Sequence, residues 1–335
     1  MHDLSLGKTV VTGGAGLIGS ATIWGINKLK LNNIWLVDWI ENNSDKQKNI
    51  ENLNFQRFLD AKTFRNLVAE KSTELSEIKT IIHLGACSST TETNKEYLDD
   101  NNFLCTLELC EWAIESNVRF VYASSAATYG GGEMGMDDHD MDIEKFNPLN
   151  LYGWSKHKFD LIAKERGWLN QITGLKYFNV YGPNEEHKGD MRSVVSKAYQ
   201  QIFENGKMSL FKSHRSEYRD GEQKRDFLYI KDAVQMTLFL VKNEKSTGLF
   251  NLGNGKARTW KDLGNSIFKA LKTEPLIEFV EMPEQLREKY QYFTQANIQK
   301  LRKQGYKHNL FTLEESVNDY LTNYLIPCNR LGFKG

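Results

Sequence analysis

Tyr152 and Lys156 stand four residues apart in Tyr152-Gly153-Trp154-Ser155-Lys156. The stretch 152–164 has helical spacing, so the two side chains share one face. Ser125 ends an apolar, β-rich run over 118–123 that closes in Ser124-Ser125, and a strand end is where doubly wound sheets bind ligands. A phenol, an ammonium group and a hydroxyl together suit interconversion of an alcohol and a carbonyl. The ammonium favours the phenolate and so lowers the phenol pKa. Tyr152 can then take a proton from an alcohol while hydride leaves for a nicotinamide. The Ser125 hydroxyl holds the same oxygen in place, and Lys156 is expected to grip the cofactor ribose as well.

Hydride chemistry needs a seat for a dinucleotide. Thr12-Gly13-Gly14-Ala15-Gly16-Leu17-Ile18-Gly19 lies between a strand-like segment, 8–12, and a segment of helical spacing, 17–29. Gly13, Gly16 and Gly19 form GxxGxxG, a variant of the dinucleotide fingerprint. Glycine allows the tight turn and the close approach of backbone N–H groups to a pyrophosphate, and the helix N-terminus adds a favourable dipole. Asp38 ends the second strand-like segment, 33–37, about 20 residues on, as the fingerprint asks. Such an acid accepts hydrogen bonds from the adenosine ribose, which favours NAD, whereas a 2′-phosphate wants a cation. Lys46 and Lys48 follow in the next loop, so the chemistry leaves NAD and NADP both open.

The elements that must position these groups alternate. Strand signals at 80–84, 118–123, 174–178, 226–230 and 248–252 are interleaved with helical spacing at 102–115, 152–164 and from Asp232. That pitch implies an α/β fold, a Rossmann-like doubly wound parallel sheet. From Asn179 to Lys224 the pattern loosens, and a smaller, interleaved α/β substrate domain is expected. The division expected is a dinucleotide-binding unit at 1–178, with returning segments at 224–258 and 292–310. The substrate unit then comprises 179–223, 259–291 and 311–335.

Lys+Arg and Asp+Glu balance at 43 each, which argues against general attraction to nucleic acid or anionic membrane. No stretch approaches the roughly 18 apolar residues of a membrane span, and the first residues do not resemble a signal peptide. None of Cys87, Cys105, Cys110 and Cys328 forms a CxxC pair. All four are expected as reduced thiols in a cytoplasmic protein, with Cys105 and Cys110 packing in a core. His83, His139, His157, His187 and His214 show no paired ligand spacing, so no metal is expected.

These motifs resemble the extended short-chain dehydrogenase/reductase family. The resemblance narrows at His83-Leu84-Gly85-Ala86-Cys87-Ser88-Ser89-Thr90-Thr91-Glu92, at Tyr122 to Gly130, at Tyr177-Phe178-Asn179-Val180-Tyr181-Gly182-Pro183 with His187-Lys188-Gly189, at Arg225-Asp226-Phe227 and at Tyr290 to Gln295. Together these look like the ADP-glyceromanno-heptose 6-epimerases over nearly the whole chain. The resemblance implies inversion at C6 of ADP-D-glycero-D-manno-heptose through a transient ketone, for the lipopolysaccharide core, with tightly held NADP and a homo-oligomer, a pentamer in the family. It gives Lys188 the second acid/base role, opposite Tyr152, with Ser125 assisting. Cofactor contacts are implied at Gly13, Gly16, Leu17, Ile18, Gly19, Asp38, Trp39, Lys46, Leu84, Gly85, Ala86, Cys87, Ser88, Asn101, Tyr152, Lys156, Val180 and Lys188. Substrate contacts are implied at Ser125, Asn179, Asp190, Lys197, Phe211, Lys212, Ser213, Arg225 and Tyr290. Arg225 suits a diphosphate, because its planar fork pairs phosphate oxygens. The chain departs from some relatives at Asp190, Lys197 and Trp39, and its 214–223 segment is longer.

Three rivals stay in view. A nucleotide-sugar 4,6-dehydratase needs an acid/base carboxylate pair, and Ser125-Ala126-Ala127 stands where such enzymes carry Thr-Asp-Glu. A 4-epimerase of another nucleotide sugar shares the serine, tyrosine and lysine. A non-catalytic dinucleotide sensor would not require them.

Overall fold

Val10 and Val11 are sequence neighbours in a strand, so they leave opposite faces of the sheet, yet both are fully buried. Ile81 and Ile82 repeat the arrangement. A sheet apolar on both faces must be covered on both. The computed structural model of the protein describes residues 1–41, 44–287 and 290–333; residues 42–43, 288–289 and 334–335 of the expected units lie outside the described residues. Its strands in chain order are β1 (Lys8–Thr12), β2 (Ile34–Asp38), β3 (Arg57–Asp60), β4 (Ile78–His83), β5 (Arg119–Ser125), β6 (Thr173–Tyr177), β7 (Asn179–Tyr181), β8 (Met208–Phe211), β9 (Lys224–Tyr229), β10 (Gly248–Leu252), β11 (Ala257–Thr259) and β12 (Ile277–Val280).

Seven of them form one parallel sheet in the order β10-β6-β5-β4-β1-β2-β3. This is the Rossmann-like doubly wound sheet that the alternation predicts. Val11, Leu36, Ile82, Val121 and Leu175 belong to one apolar cluster, and Val10, Trp35, Ile81 and Phe120 to another. The first packs under the helices Leu17–Lys28 and Ile230–Lys242, which approach so closely that a Cβ on Gly25 would stand 2.4 Å from Val234. The second is covered by Ala61–Ala69, Cys105–Glu115 and Leu151–Glu165.

The small sheets follow different rules. β7 pairs in parallel with β9, and β11 runs antiparallel to β9; β8 and β12 form a separate parallel pair. The chain then returns to place β10 beside β6 in the large sheet. Two of the differences from the sequence expectation lie in or beside the large sheet. The helix expected over 102–115 is preceded by a π-helical turn, Asp99–Leu104, and becomes α-helical only at Cys105–Glu115. Strand β3 and the helix after it were not anticipated, because β3 buries only Leu59 and carries no alternating signal.

Behind the helix Leu151–Glu165 lies a sealed polar group. Asp160 accepts from Tyr122 Oη (2.8 Å), Ser124 Oγ (2.7 Å) and Lys176 Nζ (2.7 Å), and Lys176 also donates to Thr128 Oγ1 at 2.7 Å. Asp160 and Lys176 are both completely buried. Paired and hydrogen-bonded in this way, the two charges fix the helix against β5 and β6.

Candidate functional site

Because the large sheet is parallel, β1, β4, β5 and β6 all end on one side. His83 ties the end of β4 to the end of β1 and to the helix Cys105–Glu115: its Nδ1 meets Thr12 Oγ1 at 2.7 Å and its Nε2 meets Thr106 Oγ1 at 2.9 Å. Burial pushes this imidazole down to about 3, so it is neutral and acts as a hydrogen-bonding strut. A cavity of about 750 Å³ opens along the strand ends, within the usual range of small-molecule sites. Every residue expected at the dinucleotide, from Gly13 to Lys188, lines this one cavity.

The glycine turn fits a dinucleotide. Gly13 has φ +64°, and a Cβ there would stand 2.7 Å from the Gly85 backbone, while one on Gly19 would strike the Gly13 carbonyl at 2.0 Å. Gly16 caps the helix Leu17–Lys28 without any side-chain hydrogen bond, leaving the first N–H groups of the helix without intrahelical acceptors. Asp38 is 6 % exposed; its Oδ2 accepts from Ala15 N at 2.9 Å, and its Oδ1 accepts from Trp39 N at 2.7 Å and Lys46 Nζ at 2.8 Å. The acid therefore shapes the turn and also holds the cation expected near a 2′-phosphate. Lys48 turns away to Asp45, at 3.1 Å.

The 84–88 loop is held by Asn102. Its amide accepts from Cys87 N (2.8 Å) and donates to Cys87 O (2.9 Å) and Ser155 Oγ (3.0 Å), which joins the loop to the helix carrying Tyr152 and Lys156. The π turn puts Asn102 inward and Asn101 at the cavity wall. Ser125, Tyr152 and Lys156 meet at the same wall. Burial raises the Tyr152 pKa, opposed by the Ser125 hydroxyl, and burial pushes Lys156 down to about 8, opposed chiefly by Asp160. The expected lowering of the phenol by Lys156 is not seen: burial is the dominant influence, and desolvation favours the neutral form of both groups.

Lys188 reaches the cavity from a separate element, the segment after β7. Burial lowers its pKa, and Glu185 opposes that shift. Glu185 is itself fully buried, accepting from Ser193 N (2.7 Å), Ser193 Oγ (2.6 Å) and Tyr320 Oη (2.8 Å).

The residues expected at the substrate divide. Ser125 and Asn179 line the large cavity, and Asn179 Nδ2 is 3.2 Å from both Asp226 O and Thr294 Oγ1. Arg225 and Tyr290 stand just beyond its rim beside Trp260, a lining residue that the sequence did not single out. The Arg225 guanidinium lies 4.9 Å over the Tyr290 ring and 5.7 Å over Trp260, and Trp260 Nε1 donates to Tyr290 Oη at 2.8 Å. Burial lowers the Arg225 pKa, and no carboxylate among the described residues pairs with it. Asp190, Lys197, Phe211, Lys212 and Ser213 do not line the cavity. Lys212 pairs with Glu281 at 2.8 Å, Ser213 N donates to Asp220 at 2.7 Å, and Lys197 Nζ is 3.3 Å from the Asp190 carbonyl. The long 214–223 segment brings Arg215 and Tyr218 to a second cavity of about 160 Å³, beside Tyr290 and Tyr292.

Cys110 is completely buried and Cys105 sits at the cavity wall; all four thiols are free. Asp137, Asp138 and His139 gather ligand-type atoms within 4.8 Å of one another. Their hydrogen bonds are taken up by Asn251, Asn297 and each other, and none lines either cavity. No helix among the described residues is long and apolar enough to cross a membrane.

Residues 9–253 match the NAD dependent epimerase/dehydratase family. The chain is 46% identical over 316 residues to the ADP-L-glycero-D-manno-heptose-6-epimerase of Nitratidesulfovibrio vulgaris (strain DP4), covering 94% of this chain and 97% of that protein. Among solved structures it is similar to the Helicobacter pylori ADP-L-glycero-D-manno-heptose-6-epimerase, with a TM-score of 0.76 at 26% identity, covering 96% of this chain and 98% of that one. It is also similar to a Methanobrevibacter ruminantium M1 UDP-N-acetylglucosamine 4-epimerase, with a TM-score of 0.80 at 23% identity, covering 98% and 99%. The latter likeness is one of fold alone.

Proposed function

We propose, for a chain that belongs to the NAD dependent epimerase/dehydratase family, that it is an isomerase that inverts C6 of ADP-D-glycero-D-manno-heptose to the L-glycero epimer, as the names of its relatives suggest. The observation that carries the reading is that one cavity receives Ser125, Tyr152 and Lys156 from the β5 side of the sheet and Lys188 from a different element. Epimerisation needs two proton groups, because the carbonyl oxygen turns away from the first when its other face is presented.

A bound nicotinamide ring supplies the site that accepts the C6 hydride and gives it back. Tyr152 takes the proton of the C6 hydroxyl as the carbonyl forms, Ser125 holds that oxygen, and Lys156 holds the ribose. Once the carbonyl presents its other face, Lys188 gives a proton to the oxygen. Arg225, buried and without a carboxylate partner among the described residues, meets the diphosphate of the substrate. Asp38 is the sole carboxylate that lines the cavity among the described residues, and it is paired with Lys46. That arrangement does not supply the acid/base pair a dehydratase requires.

The cofactor is a nicotinamide dinucleotide, and the finer reading is NADP, held tightly, with Lys46 set beside Asp38 to meet a 2′-phosphate. The protein is expected to work in the cytoplasm as a homo-oligomer, for lipopolysaccharide core assembly. Incubation with ADP-D-glycero-D-manno-heptose and no added cofactor, with C6 configuration read by NMR, tests the reaction. An unchanged sugar from nucleotide-loaded protein, or inversion at C4 of another nucleotide sugar instead, overturns it. Denaturation should release NADP, and release of NAD alone would overturn the cofactor choice.

A further inference from the structure

His187 enters the large cavity beside Lys188, and one edge of its ring is held. Nδ1 stands 3.2 Å from Nδ2 of Asn49. That amide is fully buried and donates to the carbonyl of Ala15, in the glycine turn, and to the carbonyl of Asn184, each at 3.0 Å. One asparagine thus fastens the 184–188 segment to the glycine turn, with the imidazole as its third contact. The other ring edge, Nε2, faces Gly16: a Cβ built on that glycine would lie 3.9 Å from it. Gly16 opens the helix Leu17–Lys28 without a side-chain cap, so the first N–H groups of that helix and the imidazole edge border the same gap.

We infer that His187 is a ligand of the dinucleotide's diphosphate bridge, presenting Nε2–H to a phosphate oxygen across the gap from Gly16. In this role the neutral ring's proton sits on Nε2, the tautomer that leaves Nδ1 unprotonated beside the Asn49 amide nitrogen. Burial, first, and then Lys46 and Lys188 push the imidazole pKa down to about 4, while Asp38 and the Asn184 carbonyl pull it the other way. At neutral pH the ring therefore offers a directed N–H and no charge. The consecutive residues His187 and Lys188 then divide the work, one on the cofactor's phosphates and one on the reacting oxygen. The inference rests on the dinucleotide part of the proposed function and is independent of which sugar is bound.

The test titrates the full-length protein, exchanged free of nucleotide, with NADP and with adenosine 2′-monophosphate, which keeps the ribose end and lacks the diphosphate bridge. His187→Ala is expected to raise the Kd for NADP about tenfold, the worth of a hydrogen bond to a charged group, and to leave adenosine 2′-monophosphate unaffected. His187→Gln, whose amide restores an N–H donor, should recover most of the loss. Unchanged NADP affinity in His187→Ala overturns the inference. Equal loss for both probes, or equal loss in the Ala and Gln variants, also overturns it by assigning the ring a packing role. A protein that binds NADP through His187 yet leaves ADP-heptose unaltered would sink the epimerase reading and leave this one standing.

Discussion

At the sheet end of the cavity, the expected contact residues come from β1, β2, β4, β5 and β7 and the segments that follow them, and they converge on one space. At the far end, Asp190 on the turn Glu186–Met191, Lys197 on the helix Val194–Asn205, Phe211 at the end of β8, and Lys212 and Ser213 just after it all lie outside that space. The first region is braced by buried partners such as Asn102 and His83, the second by exposed ion pairs such as Lys212–Glu281. Exposed pairs hold little, because solvent screens them. The contrast suggests that proton and hydride chemistry is placed in advance by the sheet, whereas substrate recognition is completed by segments that can adjust.

If the contrast is sound, variants at the sheet end should act on turnover, and variants at the far end on substrate affinity. The largest effect is expected for Tyr152→Phe, with kcat lowered by about 10²–10⁴, the range for an acid/base group, and dinucleotide retention unchanged. Near-normal turnover would remove the phenol from the mechanism. Lys188→Met should lower kcat by about 10² or more while the protein keeps its cofactor; a variant that merely sheds nucleotide would make Lys188 a binding residue. Arg225→Gln tests the other region. Its expected signature is a KM raised about tenfold or more, the loss of a charge-assisted contact, with kcat little changed. A fall confined to kcat would erase the proposed division.

A smaller effect should follow pH. Burial sets Lys156 at about 8, well below an ordinary lysine. Raising the pH through 8 removes the ammonium, so dinucleotide affinity should weaken on that alkaline limb, and Lys156→Met should abolish the limb. An affinity flat to pH 10 in the unaltered protein would contradict this. The sign for stability is opposite. The unfolded chain holds this proton up to about 10.4 and the folded one releases it near 8, so folding is favoured as pH rises across that window.

The same contrast governed what the sequence could reveal. Strands buried on both faces read as unbroken apolar runs, and the glycine turn is punctuated by residues whose backbone geometry admits little else, as Gly13 and Gly19 show. Asn49 and His187 gave no such signal, because their contact joins positions 138 apart. Trp260 was invisible for a similar reason: it matters only once Arg225 and Tyr290 are brought beside it. In the small sheets, Asp226 accepts from Asn254 N, Gly255 N and Ala296 N, so local order there depends on partners that lie far along the chain. The π turn at Asp99–Leu104 has no periodicity of its own and was absorbed into the helix expected around it.

The sealed Asp160–Lys176 contact beneath the Tyr152 helix constrains how this chain can change over generations. Removing one member strands the other charge in the interior, a loss of about 3–5 kcal/mol, comparable to much of a domain's stability margin. Replacing both by apolar side chains of similar volume need cost little. The two positions should therefore drift together or not at all, behaving as a single heritable locus despite lying on different elements.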